Sequence, residues 1–404
     1  MPSILFAHTN FPAQFGALGD RLARAGWDVA FATQRKGVTH SRIRVLSFPE
    51  GRDATKGVHP YLASTERAVI TGQSAARVFF GAHDAGLKPD IVMAHSGWGA
   101  GLFAKDVWPD TVYVPYFEWW YNAPPIDSVF LGETTNRDAM VRQRVRNTPI
   151  LIDLAAAEFG LVPTRFQAVQ FPPRFAPLLR VIHDGIDTEM HKPAETRPER
   201  VGELDLRQMP ELVSYATRGM EPQRGFPQFM RALALLQKRR PGLHAIIAGE
   251  DRVAYGTKLP EGDSWKARML AELDLDLSRV HFTGLLGRAD YVALLQATGA
   301  HVYLTAPFVL SWSALEAMAV GAPIVANRVA PVEEYMTDGQ TARLVDFHRP
   351  QEIANAVEAM LDDRETARRL GQAARAHIVE NYRFEDIIAR KTEMLTEALG
   401  PRLR

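Results

Sequence analysis

The residues able to do chemistry in this chain stand at the ends of apolar runs. Arg218 closes the run ELVSYATRG, and Arg224 follows on the loop GMEPQRGF, just before the helical stretch FPQFMRALALLQKRR. Two guanidinium groups and a helix N-terminus gathered at one place suit a diphosphate, because Arg presents a planar fork and the helix end adds free N–H groups. Two solvated arginines in a polar loop would read the same way in sequence. Farther on, Glu316 lies within PFVLSWSALEAMAVGAPIVAN. Ser313-x-x-Glu316 fits a capping box, and a carboxylate there could equally accept two hydroxyls of a sugar ring beside a bound phosphate. His95 closes DIVMAH and Glu118 follows TVYVPYF. An imidazole and a carboxylate on successive strand ends are groups suited to proton transfer.

These residues need a scaffold, and the hydrophobic pattern supplies one. SILFAH is a short buried-strand run, ALGDRLARAG an amphipathic helix, and WDVAFAT a second strand run. Short apolar runs keep alternating with helix-period stretches from there to the end of the chain, which predicts parallel sheets covered by helices. Ligands of such sheets bind beyond the carboxyl ends of the strands. The first loop, TNFPAQFG, lacks the G-x-G-x-x-G fingerprint, so a dinucleotide reading is weak there.

Composition bounds the rest. The 404 residues predict two or three domains, and 46% hydrophobic content is enough for real cores. Forty-seven basic residues balance 47 acidic ones, so no global field draws in nucleic acid. Cysteine is absent, which removes disulfides, thiolate nucleophiles and thiolate metal sites together. The start, MPSILFAHTN, has no signal-peptide character and no apolar run reaches a membrane span, so the expected location is the cytoplasm. The arginine-rich run RDAMVRQRVRN reads as a solvated helix face. Its alternative is a peripheral contact with anionic lipid on the cytoplasmic side, or with a polyanionic acceptor. Asp274 and Asp276 form a D-x-D string, but it sits in a turn before a strand, and no His/Asp/Glu cluster has metal spacing.

LEAMAVGAPIVAN resembles the C-terminal half of the Glu-x7-Glu motif of retaining family 4 glycosyltransferases. The resemblance implies an α/β fold of the GT-B kind, two Rossmann-like domains facing across a cleft. In that family the second Glu binds the ribose of a nucleotide-sugar, and Glu316 matches it. Phe308 stands where the first Glu, the donor-sugar contact, belongs. Arg218 and Arg224 are similar to the family's Arg…Lys phosphate clamp, with Arg in the Lys place and one extra residue between. Leu310, Ser311, Trp312 and Ser313 fall in the phosphate-binding loop. Gly249 and Glu250 fall at the carboxyl edge of the second sheet. FTGLLGRA is similar to the segment whose backbone reads the nucleobase, which gives Gly284, Leu286 and Arg288 to the donor site.

In the first domain, Asp90 to His95 resembles the family's Asp-x-x-x-x-His stretch, and Glu118 replaces a strand-end His that faces the donor sugar. Gly16 is placed against the donor on the first loop. Asn10 and Gln14 on that loop, with Trp98, Trp119 and Tyr121, are placed against the acceptor. Trp119, Trp120 and Tyr121 would form a platform for a sugar face, or simply core at a sheet edge.

The domains implied are residues 1–190 for the acceptor, a linker at 191–209, a donor domain at 210–380, and a last helix at 381–404 that returns to the first domain. The activity implied is transfer of a sugar from a UDP- or GDP-sugar to a hydroxyl of a glycan, lipid-linked or small-molecule acceptor. The nucleotide-sugar is a co-substrate, and no other cofactor and no metal is expected. A nucleotide-sugar epimerase and a non-catalytic nucleotide-sugar or glycan-binding subunit are the rival readings.

Overall fold

A computed structural model describes residues 1–134 and 136–400. The chain divides into two units: Met1–Val129, Thr134–Gly185 and the C-terminal segment from Glu385 form one, and Phe130–Glu133 with Ile186–Phe384 form the other.

The first unit carries a seven-stranded parallel sheet. In chain order its strands are β1 (Ser3–Ala7), β2 (Asp28–Thr33), β3 (Arg44–Ser47), β4 (Ile91–His95), β5 (Val112–Tyr116), β6 (Gly160–Val162) and β7 (Leu179–Val181). In space the order is β3-β2-β1-β4-β5-β6-β7. The chain therefore winds outward one way from β1 to β3 and the other way from β4 to β7. The order reverses between β1 and β4, and a crevice opens at the carboxyl end of such a pair. Every residue of β4 and β5 is buried, as expected of strands with helices on both faces. Leu5, Val92 and Tyr113 share one core cluster with Phe79 and Trp108.

The last helix, Phe384–Leu399, belongs almost wholly to this unit. Its Lys391 ammonium is buried and lies 3.0 Å from Asp184 Oδ1, while the Tyr116 hydroxyl donates to Asp184 Oδ2 at 2.9 Å. Burial works against the Asp184 anion, but Lys391 and the hydrogen bonds hold its pKa below the ordinary carboxylate value. Removing Lys391 would strand a buried charge, a loss on the order of 3–5 kcal/mol.

The second unit holds a small antiparallel ribbon, β8 (Arg200–Val201) with β9 (Leu204–Asp205), and a six-stranded parallel sheet. That sheet is built from β10 (Glu211–Gly219), β11 (Leu243–Glu250), β12 (Val280–Gly284), β13 (Ala300–Tyr303), β14 (Ile324–Asn327) and β15 (Arg343–Val345). Its order, β12-β11-β10-β13-β14-β15, reverses between β10 and β13. Successive residues serve opposite faces. Val213 and Tyr215 of β10, Ala245 and Ile247 of β11 and Val302 of β13 join the cluster under the helices Phe226–Arg239 and Pro350–Asp362. Ile324 and Ala326 of β14 join the cluster under Trp312–Val320. Each fully buried Ile or Leu contributes roughly 1.5–3 kcal/mol, so an unbroken apolar strand is what a two-sided parallel sheet selects.

Residues 191–209 are not a linker. Val201, Leu206 and Met209 pack with Leu294 and Ala297 in a core cluster of the second unit. The Arg197 guanidinium fastens the segment by donating to the carbonyls of Ala297, Leu206 and Met209 at 3.0, 3.2 and 2.8 Å. The polar letters between these apolar positions hid the packing. The D-x-D aspartate Asp276 caps the turn Leu277–Arg279 and pairs with Arg279 at 2.7 Å. Among the described residues no three His, Asp or Glu side chains gather as a metal site requires. No helix among them is long and apolar enough to cross a membrane.

Candidate functional site

In the second unit the candidate residues collect beyond the carboxyl ends of β10 and β13, where the strand order reverses. The loop after β13 leads into the helix Trp312–Val320. Its N-cap is Ser311, whose hydroxyl oxygen accepts from the Ser313 N–H at 3.3 Å, and Gly321 ends it in a left-handed turn at φ +77°. This overturns the capping box. Ser313 already lies inside the helix, so Glu316 stands beyond the first turn, where no free N–H remains to be capped. The backbone N–H of Ser311 is taken by the Tyr303 hydroxyl at 3.1 Å.

Glu316 faces partners that sequence reasoning missed. Its Oε1 is 3.6 Å from His191 Nε2, and its carboxylate also acts on the hydroxyl of the partly buried Tyr291, whose pKa desolvation and Glu316 together push well up. His191 is buried, with Nδ1 3.0 Å from the Asp187 carbonyl. That nitrogen must carry the proton, since a carbonyl only accepts. No neighbour in sequence could have revealed a pair so far apart in the chain.

Arg224 is buried on the loop after β10. Its guanidinium donates to Thr305 Oγ1 at 2.8 Å and to the Val309 carbonyl at 3.2 Å, and it lies 4.9 Å from the centre of the Tyr255 ring. Burial opposes its charge, but Tyr303, Tyr255 and Glu221 outweigh that and raise its pKa. Arg224 thus ties the β10 loop to the loop that opens the helix. Arg218, one residue before the end of β10, is exposed. Phe308 turns its ring to Tyr255 with centroids 5.8 Å apart, Leu310 is buried, and Trp312 is exposed.

The remaining donor candidates divide. Gly249 sits at φ +142°, and a Cβ there would come within 2.3 Å of the Thr217 carbonyl oxygen, so glycine is required by the neighbouring strand. Glu250 is paired with Arg252. Gly284 ends β12, Leu286 packs on the cluster around Leu294, and the exposed Arg288 reaches the Met190 sulfur at 3.6 Å.

In the first unit, His95 at the end of β4 is buried. Its Nδ1 donates to the Ser96 carbonyl at 3.0 Å, and its Nε2 is 3.6 Å from Glu118 Oε2. Beneath it, Ser96 Oγ and the Tyr113 hydroxyl donate to Asp153 at 2.6 and 2.7 Å. Burial pushes the Asp153 pKa up to about 6 against those hydrogen bonds. His8, at the end of β1, is a further member that the strand-end argument should have caught. Its ring centre is 4.8 Å from that of His95 and 5.8 Å from that of Trp98. It accepts the Asn10 N–H on Nδ1 at 2.8 Å. Burial, with His95 adding to it, lowers the His8 pKa to about 3.

The acceptor candidates scatter. Trp98 and Tyr121 line one cavity, whereas Asn10, Gln14 and Trp119 are not among its lining residues. Trp119 sits by Phe166, and Trp120 is core with Phe117 and Ile150. Gly16 is buried in the first helical turn, where a Cβ would lie 2.3 Å from Pro12 Cβ. Asp90 is structural: it accepts from both the N–H and the hydroxyl of Ser3, each at 2.8 Å.

Two parallel-sheet α/β units, each with polar groups at its strand-order reversal, are the architecture of GT-B glycosyltransferases. The chain belongs to family 4 of those enzymes: residues 25–191 match the glycosyl transferase family 4 group and residues 198–377 match glycosyl transferases group 1. A D-inositol 3-phosphate glycosyltransferase of Streptomyces scabiei is 27% identical over 262 residues, 64% of this chain and 56% of that protein. The chain thus spans little more than half the length of that relative. The protein of the same name from Corynebacterium efficiens is 25% identical over 395 residues, 94% of this chain and 88% of its own length. Among solved structures, Anabaena HepE in complex with UDP-glucose superposes with a TM-score of 0.71 at 19% identity, covering 98% of this chain and all of the other.

Proposed function

We propose that the protein transfers a sugar from a nucleotide-sugar to an acceptor hydroxyl with retention of anomeric configuration. The observation that carries this reading is the placement of buried Arg224 against the loop that opens the Trp312–Val320 helix, at the strand-order reversal of the second sheet. There the diphosphate meets Arg218, Arg224 and a helix N-terminus, and Glu316 accepts the ribose hydroxyls. The acceptor oxygen bonds to the anomeric carbon as the carbon–oxygen bond to the phosphate breaks, and the diphosphate leaves with the electron pair. The acceptor proton passes to the departing phosphate on the same face, so no protein nucleophile is needed. The cations and helix end stabilise the growing negative charge, which is electrostatic catalysis of the leaving group. In the first unit, His95 and Glu118 are the groups available to assist the acceptor hydroxyl.

The solved relative's UDP-glucose supports a uridine nucleotide-sugar as the first donor to try. Phe308 in place of the first motif carboxylate favours one rival, a subunit that binds nucleotide-sugar without turning it over. Thermal stabilisation by a panel of UDP- and GDP-sugars, followed by mass spectrometry of products with candidate acceptors, separates the readings. A new glycoside supports transfer, stabilisation without product supports the binding subunit, and an epimerised sugar nucleotide supports an epimerase.

A further inference from the structure

Beyond the carboxyl edge of the first sheet lies a cavity of about 340 Å³, the size of a small-molecule site. Thr9 follows β1, Gln34 follows β2, and Trp98 follows β4, so the cavity opens at the β1–β4 reversal, where such sheets take their ligands. Its other wall is one face of the helix Ala63–Asp84, on which Ser64, Arg67 and Thr71 recur at helical spacing. Arg146, at the end of the helix Arg137–Arg146, completes the lining together with Tyr121.

The charge of this cavity is one-sided. Two arginines and several hydroxyl groups line it, and no carboxylate does among the described residues, in a chain whose formal net charge is zero. Arg146 lies over the Tyr121 ring, its guanidinium carbon 3.7 Å from the ring centre, and gives one N–H to Gln143 at 3.0 Å. Its other N–H groups remain for a ligand. Among the described residues Arg67 pairs with the well-exposed Asp53, at 3.4 Å, an ion pair of the kind worth little in water. Trp98, about half exposed, offers a flat apolar face of the sort that stacks on a sugar ring.

We propose that this cavity is the acceptor site and that the acceptor is a phosphate monoester of a sugar or other small polyol. This rests on reading the first unit as the acceptor-binding one. Arg67 and Arg146 hold the dianionic phosphate, Ser64, Thr71 and Gln34 exchange hydrogen bonds with the hydroxyls, and Trp98 covers the ring. A neutral glycan end would leave two arginines facing the ligand unanswered.

The test is a calorimetric titration without nucleotide, using glucose phosphate, inositol phosphate, glucose and glucuronate as probes. The phosphate esters bind at least roughly tenfold more tightly than glucose or glucuronate, and Arg67→Gln and Arg146→Gln each weaken them roughly ten- to hundredfold. Arg67→Lys, which keeps the charge, recovers part of the loss. Nucleotide affinity of the same variants is unchanged. Equal binding of glucose and its phosphate, a preference for glucuronate, or wild-type binding by both Gln variants overturns the proposal. A wild type that takes phosphate esters but no nucleotide upholds the cavity and removes the donor reading instead.

Discussion

His191 Nε2 points at Glu316 Oε1 across 3.6 Å, slightly too far for a hydrogen bond, and that nitrogen has no other partner. The ring cannot turn to satisfy it, because Nδ1 is engaged by the Asp187 carbonyl. A buried unsatisfied polar atom costs about 1–3 kcal/mol. With Nδ1 already carrying a proton, a small movement of Glu316 would close the gap only on a ring protonated at both nitrogens, since a carboxylate accepts and does not donate. Ribose hydroxyls arriving at the far carboxylate oxygen would favour that movement. His191→Leu should therefore leave the fold near wild-type stability while weakening nucleotide binding by roughly two- to tenfold, the worth of one hydrogen bond. Calorimetry giving the same Kd for both proteins would make the pair a bystander.

The cap and the carboxylate are separable. Ser311→Ala removes the N-cap acceptor and should lower stability by about 1 kcal/mol. Glu316→Gln leaves the cap untouched, so its melting temperature should stay near wild type while nucleotide affinity falls. Retained affinity in the Gln variant would return Glu316 to a packing role beside Tyr291.

The two arginines should behave differently. Arg218 is exposed, and Arg218→Gln should cost nucleotide affinity alone, by about 1.5–3 kcal/mol for a hydrogen bond to a charged group. Arg224 joins two loops through Thr305 and Val309, so Arg224→Gln should reduce affinity and melting temperature together. A melting temperature unmoved by Arg224→Gln would show that the loops do not depend on it.

Much of this was legible in the sequence. Unbroken apolar runs such as DIVMAH and LHAIIAG became two-sided buried strands, and the strand runs located His95 at the end of β4, Glu118 just past β5 and Arg218 near the end of β10. What escaped was whatever depends on distance through space. Ser311 and Ser313 are equivalent as letters, and the path of the loop from Pro307 decides which of them caps. His191 gains its meaning only from Glu316, on a helix far along the chain. The segment around Arg197 looked like a linker because its buried residues, Val201, Leu206 and Met209, are thinly spread among charges. His8 was within reach of the argument that picked His95, since both close strands flanking the same reversal.

Acid should weaken the fold through its buried histidines. Burial lowers the pKa of His8 to about 3 and those of His183 and His301 to about 4, from an unfolded value near 6.5. Between those limits the unfolded chain binds protons that the folded chain refuses, so stability is full above pH 6.5 and falls as the pH drops toward 4. Each such group contributes up to about 1.4 kcal/mol per pH unit. Asp153 works the other way, because its raised pKa of about 6 lets the folded state take a proton first. With three groups against one, the urea midpoint should drop between pH 7 and pH 5, and His301→Gln should flatten the slope. A midpoint that holds or rises over that range would contradict the assignment.

The first unit repeats the arrangement seen around Glu316: a buried histidine gives Nδ1–H to a backbone carbonyl and aims Nε2 at a carboxylate 3.6 Å away. Here the carboxylate is Glu118, whose side chain is 33% exposed, so it can meet a substrate while His95 steadies it from behind. Ser96 and the buried Asp153 fix the strand end on which His95 sits. If Glu118 assists the acceptor hydroxyl, Glu118→Gln should lower kcat on the order of a hundredfold or more, as for a positioned acid/base or charge-stabilising group. His95→Gln should cost less, because the carboxylate remains and loses only its support. Nucleotide affinity should be unchanged in both variants, since the arginines and Glu316 lie in the other unit. A Glu118→Gln enzyme with full activity would remove the residue from the chemistry and leave proton removal to the departing phosphate alone.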